Sequence, residues 1–377
     1  MRKMATSEEI HGLVVVKVGS STLTDETGGI DDSYIAYLCD QVATLKEMGH
    51  PVVVVTSGAA AAGRKRLGID KRPSDIPTLQ ACAACGQAAL TETYAERLGE
   101  RGLTCAQVLL TRRDVVDRDG YLNARNTLMR LLDLGVVPVV NENDTVSVAE
   151  FAFGDNDMLG AIVSALIGAE LYVILSDVEG LFTANPETDE SAELIDEVNA
   201  IDRHIAEIAG GSVSGVGTGG MASKVRAARA MLAAGIPMVV AHGRRPDVLR
   251  DIVSGSKVGT RFENVDGPTH GTGRKLWIGL AEVPHGQVTV DAGAARALVE
   301  EGASLLPVGV KATKGTYGAG DVVTIVDESG LEIARGVSRY TSEEMVRVRG
   351  LKLDVIERFM PDHAGMPAVH RDEMLVF

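Results

Sequence analysis

The chain of 377 residues is poor in aromatic side chains, at 4% with a single Trp, and holds four cysteines: Cys39, Cys82, Cys85 and Cys105. So few thiols in so long a chain exclude a disulfide-stapled scaffold and fit a reducing compartment. Long apolar runs are missing too, none approaching the ~18 residues of a membrane-spanning helix. The polar stretch MRKMATSEEIHG and the early interruption of the next apolar run by Lys17 leave neither a signal peptide nor a membrane anchor, so the chain reads as cytoplasmic. Positive charge is in deficit, with 37 Lys plus Arg against 52 Asp plus Glu and a net −15. That argues against a generally polyanion-binding surface, so any anion site is built locally. The common phosphate loops are absent as well: no GxxxxGK[ST] occurs, and no GxGxxG follows an expected strand.

What is present is a regular alternation. Short Val/Ile/Leu runs at 13–16, 52–55, 106–110, 136–140, 171–175 and 237–241 are separated by segments of helical period at 34–48, 79–98, 123–134, 157–167 and 218–234. Continuous apolar strands between helices predict an α/β fold with an open, mostly parallel sheet sandwiched by helices. After residue 257 the texture becomes Gly/Thr/Pro-rich, then β-rich with one helical stretch at 292–301, so a small mainly β domain follows. The division reads as a catalytic domain over 1–265, a linker over 266–284 and a C-terminal domain over 285–377. Two domains suit the length.

In an open parallel sheet, ligands bind beyond the carboxyl ends of the strands. The residues there are small and polar: KVGSS (17–21), TSGAAAAG (56–63), NENDTV (141–146) and SDVEG (176–180). A lysine inside an apolar strand is costly unless it meets an anion, so Lys17 and the turn at Gly19 point to phosphate, although Gly-Ser after a strand also makes a plain turn. Ser57 and Gly58 precede an Ala-rich helix whose free N–H groups favour an anion; alternatively Ser57 is only an N-cap and the alanines allow close helix–sheet packing. NENDTV and FGDND (153–157) together bring seven Asn, Asp and Glu side chains into one region. Such groups form Asx turns, and they also suit a zwitterionic amino acid or hydrated Mg²⁺. GTGGMASK (217–224) sets glycines before a helix with Lys224 in its early turns, at a position expected to face solvent.

Two lysines, an acidic cluster and no histidine expected in a strand-end loop suggest a reaction that needs no base. A carboxylate is already a nucleophile at neutral pH, so phosphoryl transfer to it requires only positioning and charge neutralisation. The CxxC of Cys82 and Cys85 sits in the helical, Ala-rich LQACAACGQAAL with no second ligand pair nearby, which reads as core packing rather than a metal or redox site.

Taken in order, KVGSS, VTSGAAAAGR, LLTRRD, LNARNT, VVPVVNENDTV, FGDND, SDVEGLFTANP and SGVGTGGMASK resemble the glutamate 5-kinase family of the amino acid kinase fold, as do SRY (338–340) and PAVHRDEM (367–374). The resemblance spans nearly the whole chain and implies transfer of the γ-phosphoryl group of ATP to the side chain of L-glutamate, the first step of proline biosynthesis. It implies that Lys17 and Lys224 contact the ATP phosphates, with Asp157 organising the two lysines. Ser176, Asp177 and the segment Thr218, Gly219, Gly220, Met221, Ala222, Ser223 and Lys224 would line the nucleotide site. Ser57, Gly58, Asp144, Asp155 and Asn156 would bind glutamate, with Asn141 nearby. Magnesium would be held mainly by the nucleotide phosphates, with no dedicated protein metal site. Inhibition by proline and a homo-oligomeric assembly are also implied.

The C-terminal piece resembles a PUA domain, a fold that binds RNA in many other proteins. Residues 285–377 carry 10 Lys plus Arg against 14 Asp plus Glu, net −4, which is unlike an RNA footprint; Arg347, Arg349 and Lys352 are the candidates for a local basic patch. Two other functions compete. One is a different small-molecule kinase of the same fold, whose acceptor could be another carboxylate, a carbamate or a nucleotide monophosphate; the last would call for additional arginines. The other is an RNA-binding regulatory protein with an inactive kinase half, against which the intact Lys17, Asp157 and Lys224 speak.

Overall fold

Runs of β-branched residues form the first strands, and each is followed by a helix with an identifiable start. In the computed structural model, residues 10–25, 27–147, 156–186, 188–210, 220–264 and 284–377 are described. The chain forms two units, one of residues 1–200, 218–232 and 236–265, the other of 201–217, 233–235 and 266–377.

In the first unit the strands are β1 (Val14–Val18), β2 (Val52–Val55), β3 (Cys105–Leu110), β4 (Val137–Glu142), β5 (Leu171–Ser176), β6 (Glu197–Val198), β7 (Met238–His242) and β8 (Thr260–Phe262). They form one sheet in the order β3-β4-β2-β1-β5-β7-β8-β6. Pairing is parallel from β3 through β7, as the continuous apolar runs predict. The three-residue β8 departs from this, running antiparallel to β7, with β6 beside it.

The helices are α1 (Ser20–Leu23), α2 (Asp32–Glu47), α3 (Ala59–Arg66), α4 (Ile76–Gly99), α5 (Arg112–Val116), α6 (Arg118–Asp133), α7 (Asn156–Ile167), α8 (Arg203–Ile208), α9 (Gly220–Ala234) and α10 (Val248–Val253); α8 lies in the second unit's residues. The starts of α2 and α4 are fixed by Asp31 and Asp75, whose carboxylates accept from the Tyr34 and Thr78 amides at 3.0 and 2.9 Å. Each such cap contributes about 1 kcal/mol.

The alternation of each strand sorts the two faces. Val14, Val16, Val18, Val52, Val54, Val137, Val139, Leu171, Val173 and Leu175 share a core with α2, α4 and α10, through Ile35, Leu38, Val42, Leu90, Leu98, Leu249 and Ile252. The residues in between, Val15, Lys17, Val53, Val55, Tyr172, Ile174 and Ser176, therefore face the other layer, to which α7 belongs. The Tyr172 hydroxyl donates to the Asp157 carbonyl at 2.8 Å, and Gly160 leaves room for the Tyr172 ring: a Cβ there would lie 2.3 Å from its hydroxyl oxygen.

Ala59 of α3 packs in the core shared with β1 and β2, as expected, and the glycines serve a further contact. Helix α3 crosses α4 so closely that a Cβ on Gly63 would stand 1.6 Å from the Cys82 carbonyl, and one on Gly86 would stand 1.9 Å from that of Ala59. Cys82 is buried at this crossing and, with Cys85, is a free thiol.

In the second unit, β9 (Gly286–Val290), β10 (Val310–Gly315), β11 (Val322–Val326), β12 (Glu332–Ser338) and β13 (Val369–Val376) form a sheet in the order β10-β9-β11-β12-β13. Only the β9–β11 pair is parallel. Helix α11 (Ala292–Glu301) coincides with the expected helical stretch and runs from the Asp291 cap to Gly302 in the left-handed region. Two further short helices were not expected, α12 (Ser342–Val348) and α13 (Leu353–Ile356). The first opens with a capping box of Thr341 and Glu344, a T-x-x-E signature readable in the sequence. Arg347, Arg349 and Lys352 are all exposed on this segment.

Candidate active site

Because β4, β2, β1 and β5 are consecutive and parallel, the four polar segments that follow them emerge on one edge of the sheet. Helix α7 begins over that edge with Asn156 and Asp157, and the first turns of α9 bring Ser223 and Lys224 to the same place.

The centre is ionic. Asp157 is wholly buried, its Oδ1 paired with the Lys17 ammonium and its Oδ2 3.3 Å from that of Lys224. Ser223 Oγ stands 2.7 Å from the same Oδ2. Burial pushes the Asp157 carboxyl upward, but the Lys17 and Lys224 ammonium groups and the Ser223 hydroxyl outweigh it and hold it below the ordinary value. The lysine that interrupts β1 has thus found an anion within the protein. Lys224, expected to face solvent, is instead buried, with its side chain 10% exposed, because Asp157 draws its ammonium inward.

Beside it lies an amide cluster. Asn156 Nδ2 is 2.6 Å from the Thr56 carbonyl, 2.9 Å from Ser57 Oγ and 2.8 Å from Asn141 Oδ1. Asn141 Nδ2 in turn donates to Gln87 Oε1 on α4 at 2.7 Å. Ser57 is therefore not the N-cap of α3; that position is Gly58, at φ 92°, a left-handed conformation that glycine adopts without strain. Glu142 accepts from the Ser147 hydroxyl at 2.7 Å across the loop that carries Asp144. Burial first, and then the Glu142 charge, raise the Asp144 carboxyl to about 6.

On the other side of the centre, Ser176 Oγ donates to Asp177 Oδ1 at 3.0 Å. Burial raises the Asp177 carboxyl, but the Ser176 and Ser21 hydroxyls and the Lys224 charge bring it below its ordinary value. The Gly19 amide is engaged by the Leu175 carbonyl at 3.3 Å, so the turn after β1 is tied to β5. A histidine does stand at a strand end, contrary to expectation: His242 closes β7 in register with Ser176, its Nδ1 3.2 Å from the Arg244 amide. The apolar run ends at residue 241, and the strand continues one residue further to this polar side chain.

The structure thus gathers Lys17, Ser57, Asn141, Asn156, Asp157, Ser176, Asp177, Ser223 and Lys224 along one edge. Gly58 and Asp144 lie on the adjoining loops, and Gly220, Met221 and Ala222 form the first turn of α9. Asp155, Thr218 and Gly219 lie outside the described residues. Tyr172, which sets the height of α7, could have been suspected as a phenol in an apolar strand; Gln87 carries no signal beyond being polar in an Ala-rich helix.

Residues 12–242 match the model of the amino acid kinase family. The chain belongs to that family. Residues 286–360 match the PUA domain. Curated relatives match over nearly the whole chain. Glutamate 5-kinase of Trichlorobacter lovleyi is 47% identical, and that of Photobacterium profundum 45%, each match covering 96% of this chain and 96% of the relative. Glutamate 5-kinase of Klebsiella pneumoniae is 44% identical over 96% of this chain and 98% of its own length. Among solved structures, the UMP kinase of Bacillus anthracis covers 67% of this chain and 96% of its own at 17% identity, with a TM-score of 0.47. This family member is an enzyme, a kinase with a C-terminal PUA domain.

Proposed function

We propose that the chain transfers the γ-phosphoryl group of ATP to the side-chain carboxylate of L-glutamate, giving γ-glutamyl phosphate and ADP. The observation that carries this reading is Asp157 bridging Lys17 and Lys224 beside a cluster of amide and hydroxyl side chains. A carboxylate oxygen of the acceptor attacks the γ-phosphorus while the bond to the β–γ bridging oxygen breaks, and ADP leaves with that electron pair. No proton moves, so no base is required. Lys17 and Lys224 stabilise the charge on the transferring group, and Asp157 fixes their separation. Ser176, Asp177 and the segment from Thr218 to Lys224 face the nucleotide.

Ser57, Gly58, Asp144, Asp155 and Asn156 receive the amino acid, with Asn141 behind them. Magnesium is taken to arrive with the nucleotide, held mainly by its phosphates. Bound there, it would supply charge neutralisation between the β- and γ-phosphates.

The names of the relatives support glutamate as acceptor and hence a place in proline biosynthesis, with proline as feedback inhibitor, homo-oligomeric assembly and a cytoplasmic setting as parts of the same reading. The kinase region is taken as residues 1–265, joined by a linker over 266–284 to the PUA region at 285–377. The test is ADP release with hydroxamate trapping, supplied in turn with glutamate, aspartate and acetylglutamate, with and without proline. Glutamate alone should give hydroxamate. A signal with either other acceptor, and none with glutamate, refutes the assignment.

A further inference from the structure

Gln87 belongs to none of the strand-end segments, yet it terminates the hydrogen-bonded chain behind the acceptor loops. The direction of that chain is set at its far end. The Thr56 carbonyl can only accept, so the Asn156 amide, 2.6 Å away, must turn its nitrogen toward it and its Oδ1 away. Asn141 presents Oδ1 to Asn156 Nδ2 at 2.8 Å, which obliges its own nitrogen to point back to Gln87 Oε1 at 2.7 Å. Gln87 Nε2 then donates to Thr91 Oγ1 at 3.1 Å. Asn141 is 2% exposed and has both amide atoms engaged by protein. It acts as a strut and does not touch the acceptor. Ser57 Oγ lies 2.9 Å from the same Asn156 nitrogen, whose two protons are shared among it, the Thr56 carbonyl and Asn141 Oδ1, and it keeps its own proton to give.

We propose that Gln87 is a positioning residue that sets the orientation of the amino-acid acceptor, an inference that rests on the acceptor class proposed above. The directed chain leaves two complementary groups away from the cluster, the Asn156 carbonyl oxygen for an ammonium and the Ser57 hydroxyl for a carboxylate. Gln87 reaches the chain because its neighbour Gly86 lets α4 cross α3 closely, just after the loop that carries Ser57. Without the Gln87 acceptor, the buried Asn141 nitrogen has nothing to donate to. The amide then turns to find a partner, and Asn156 loses its support.

The experiment compares the whole enzyme with Gln87→Met and Gln87→Glu variants, with Gln87→Ala as the alternative should Gln87→Met not fold. Steady-state ADP release gives KM for glutamate and for ATP, and competition gives Ki for glutarate, which keeps both carboxylates and lacks the ammonium. Gln87→Met should raise KM for glutamate about tenfold, leave KM for ATP unchanged and move Ki for glutarate much less. Gln87→Glu keeps an acceptor facing Asn141 and should return KM close to that of the parent. An unchanged glutamate KM, an equal loss for glutamate and glutarate, or a Gln87→Glu variant as impaired as Gln87→Met each overturns the proposal. A parent enzyme with no glutamate-dependent turnover refutes the proposed function instead, before any variant is compared.

Discussion

Replacing the two lysines one at a time should separate catalysis from stability. Lys224→Met leaves Asp157 with the Lys17 ammonium and the Ser223 hydroxyl, so the carboxylate stays paired and the stability cost is that of one weaker contact, about 1–2 kcal/mol. Lys17→Met removes the closer partner from a strand in the middle of the sheet and leaves a buried carboxylate held by one ammonium at 3.3 Å, a cost of about 3–5 kcal/mol. For a unit of this size each kcal/mol moves the midpoint by about 2–4 °C. Thermal unfolding should therefore place Lys224→Met about 2–8 °C below the parent and Lys17→Met about 6–20 °C below it. Turnover should fall about 10²- to 10³-fold in both, because each ammonium is asked to stabilise charge that develops only in the transition state. Equal midpoints for the two variants would refute the unequal sharing of Asp157. A Lys224→Met enzyme within about threefold of parental turnover would remove Lys224 from the reaction.

The Asp144 carboxyl, raised to about 6, gains its charge only as pH rises through that value, so its attraction for an ammonium should be present above pH 6 and lost below it. KM for glutamate should rise about tenfold from pH 7 to pH 5, and Asp144→Asn should flatten that dependence; an unchanged slope in the variant would assign the titration elsewhere. The same group contributes stability to the ligand-free fold below the ordinary carboxylate range, and that contribution is lost as pH rises through 6. Asp157, held low, contributes in the opposite sense, its share being lost as pH falls. Gly86→Ala would place a methyl 1.9 Å from the Ala59 carbonyl, so α3 and α4 must separate; denaturant unfolding should report a loss of about 1–3 kcal/mol together with a raised glutamate KM. His242→Asn should leave the pH profile of turnover unchanged, and loss of an ionisation from that profile would mean the ring carries a proton in the reaction.

Much of the fold was legible because the central strands are mostly continuous apolar runs, and burial on both faces demands such runs. The antiparallel β8 was not, since three residues hold no period to read. In the site, strand ends were visible as polar residues breaking apolar runs, which located Lys17, Ser57, Asn141 and Ser176. The burial of Lys224 was not visible, because it depends on Asp157 reaching across from another helix, 67 residues away in sequence. Gln87 was hidden for a related reason. An Ala-rich helix reads as packing, and the hydrogen bond that gives the Gln87 amide a purpose spans 54 residues.

The finding of His242 changes why a base is unnecessary. A histidine does stand at the carboxyl edge, so the absence of one cannot support a base-free transfer. Its position supports it instead. In the order β4-β2-β1-β5-β7, the acceptor groups follow β4 and β2, whereas His242 ends β7, three strands from β2. At roughly 4.8 Å per strand that is about 14 Å, several times the reach of a proton transfer. The same spacing puts Lys17 on β1, between the acceptor end and the end marked by Ser176 and Asp177, which is where a phosphoryl group passing from one to the other must cross. In the reaction proposed above, this sheet order sets donor and acceptor apart, with the ion-paired lysines at the crossing between them.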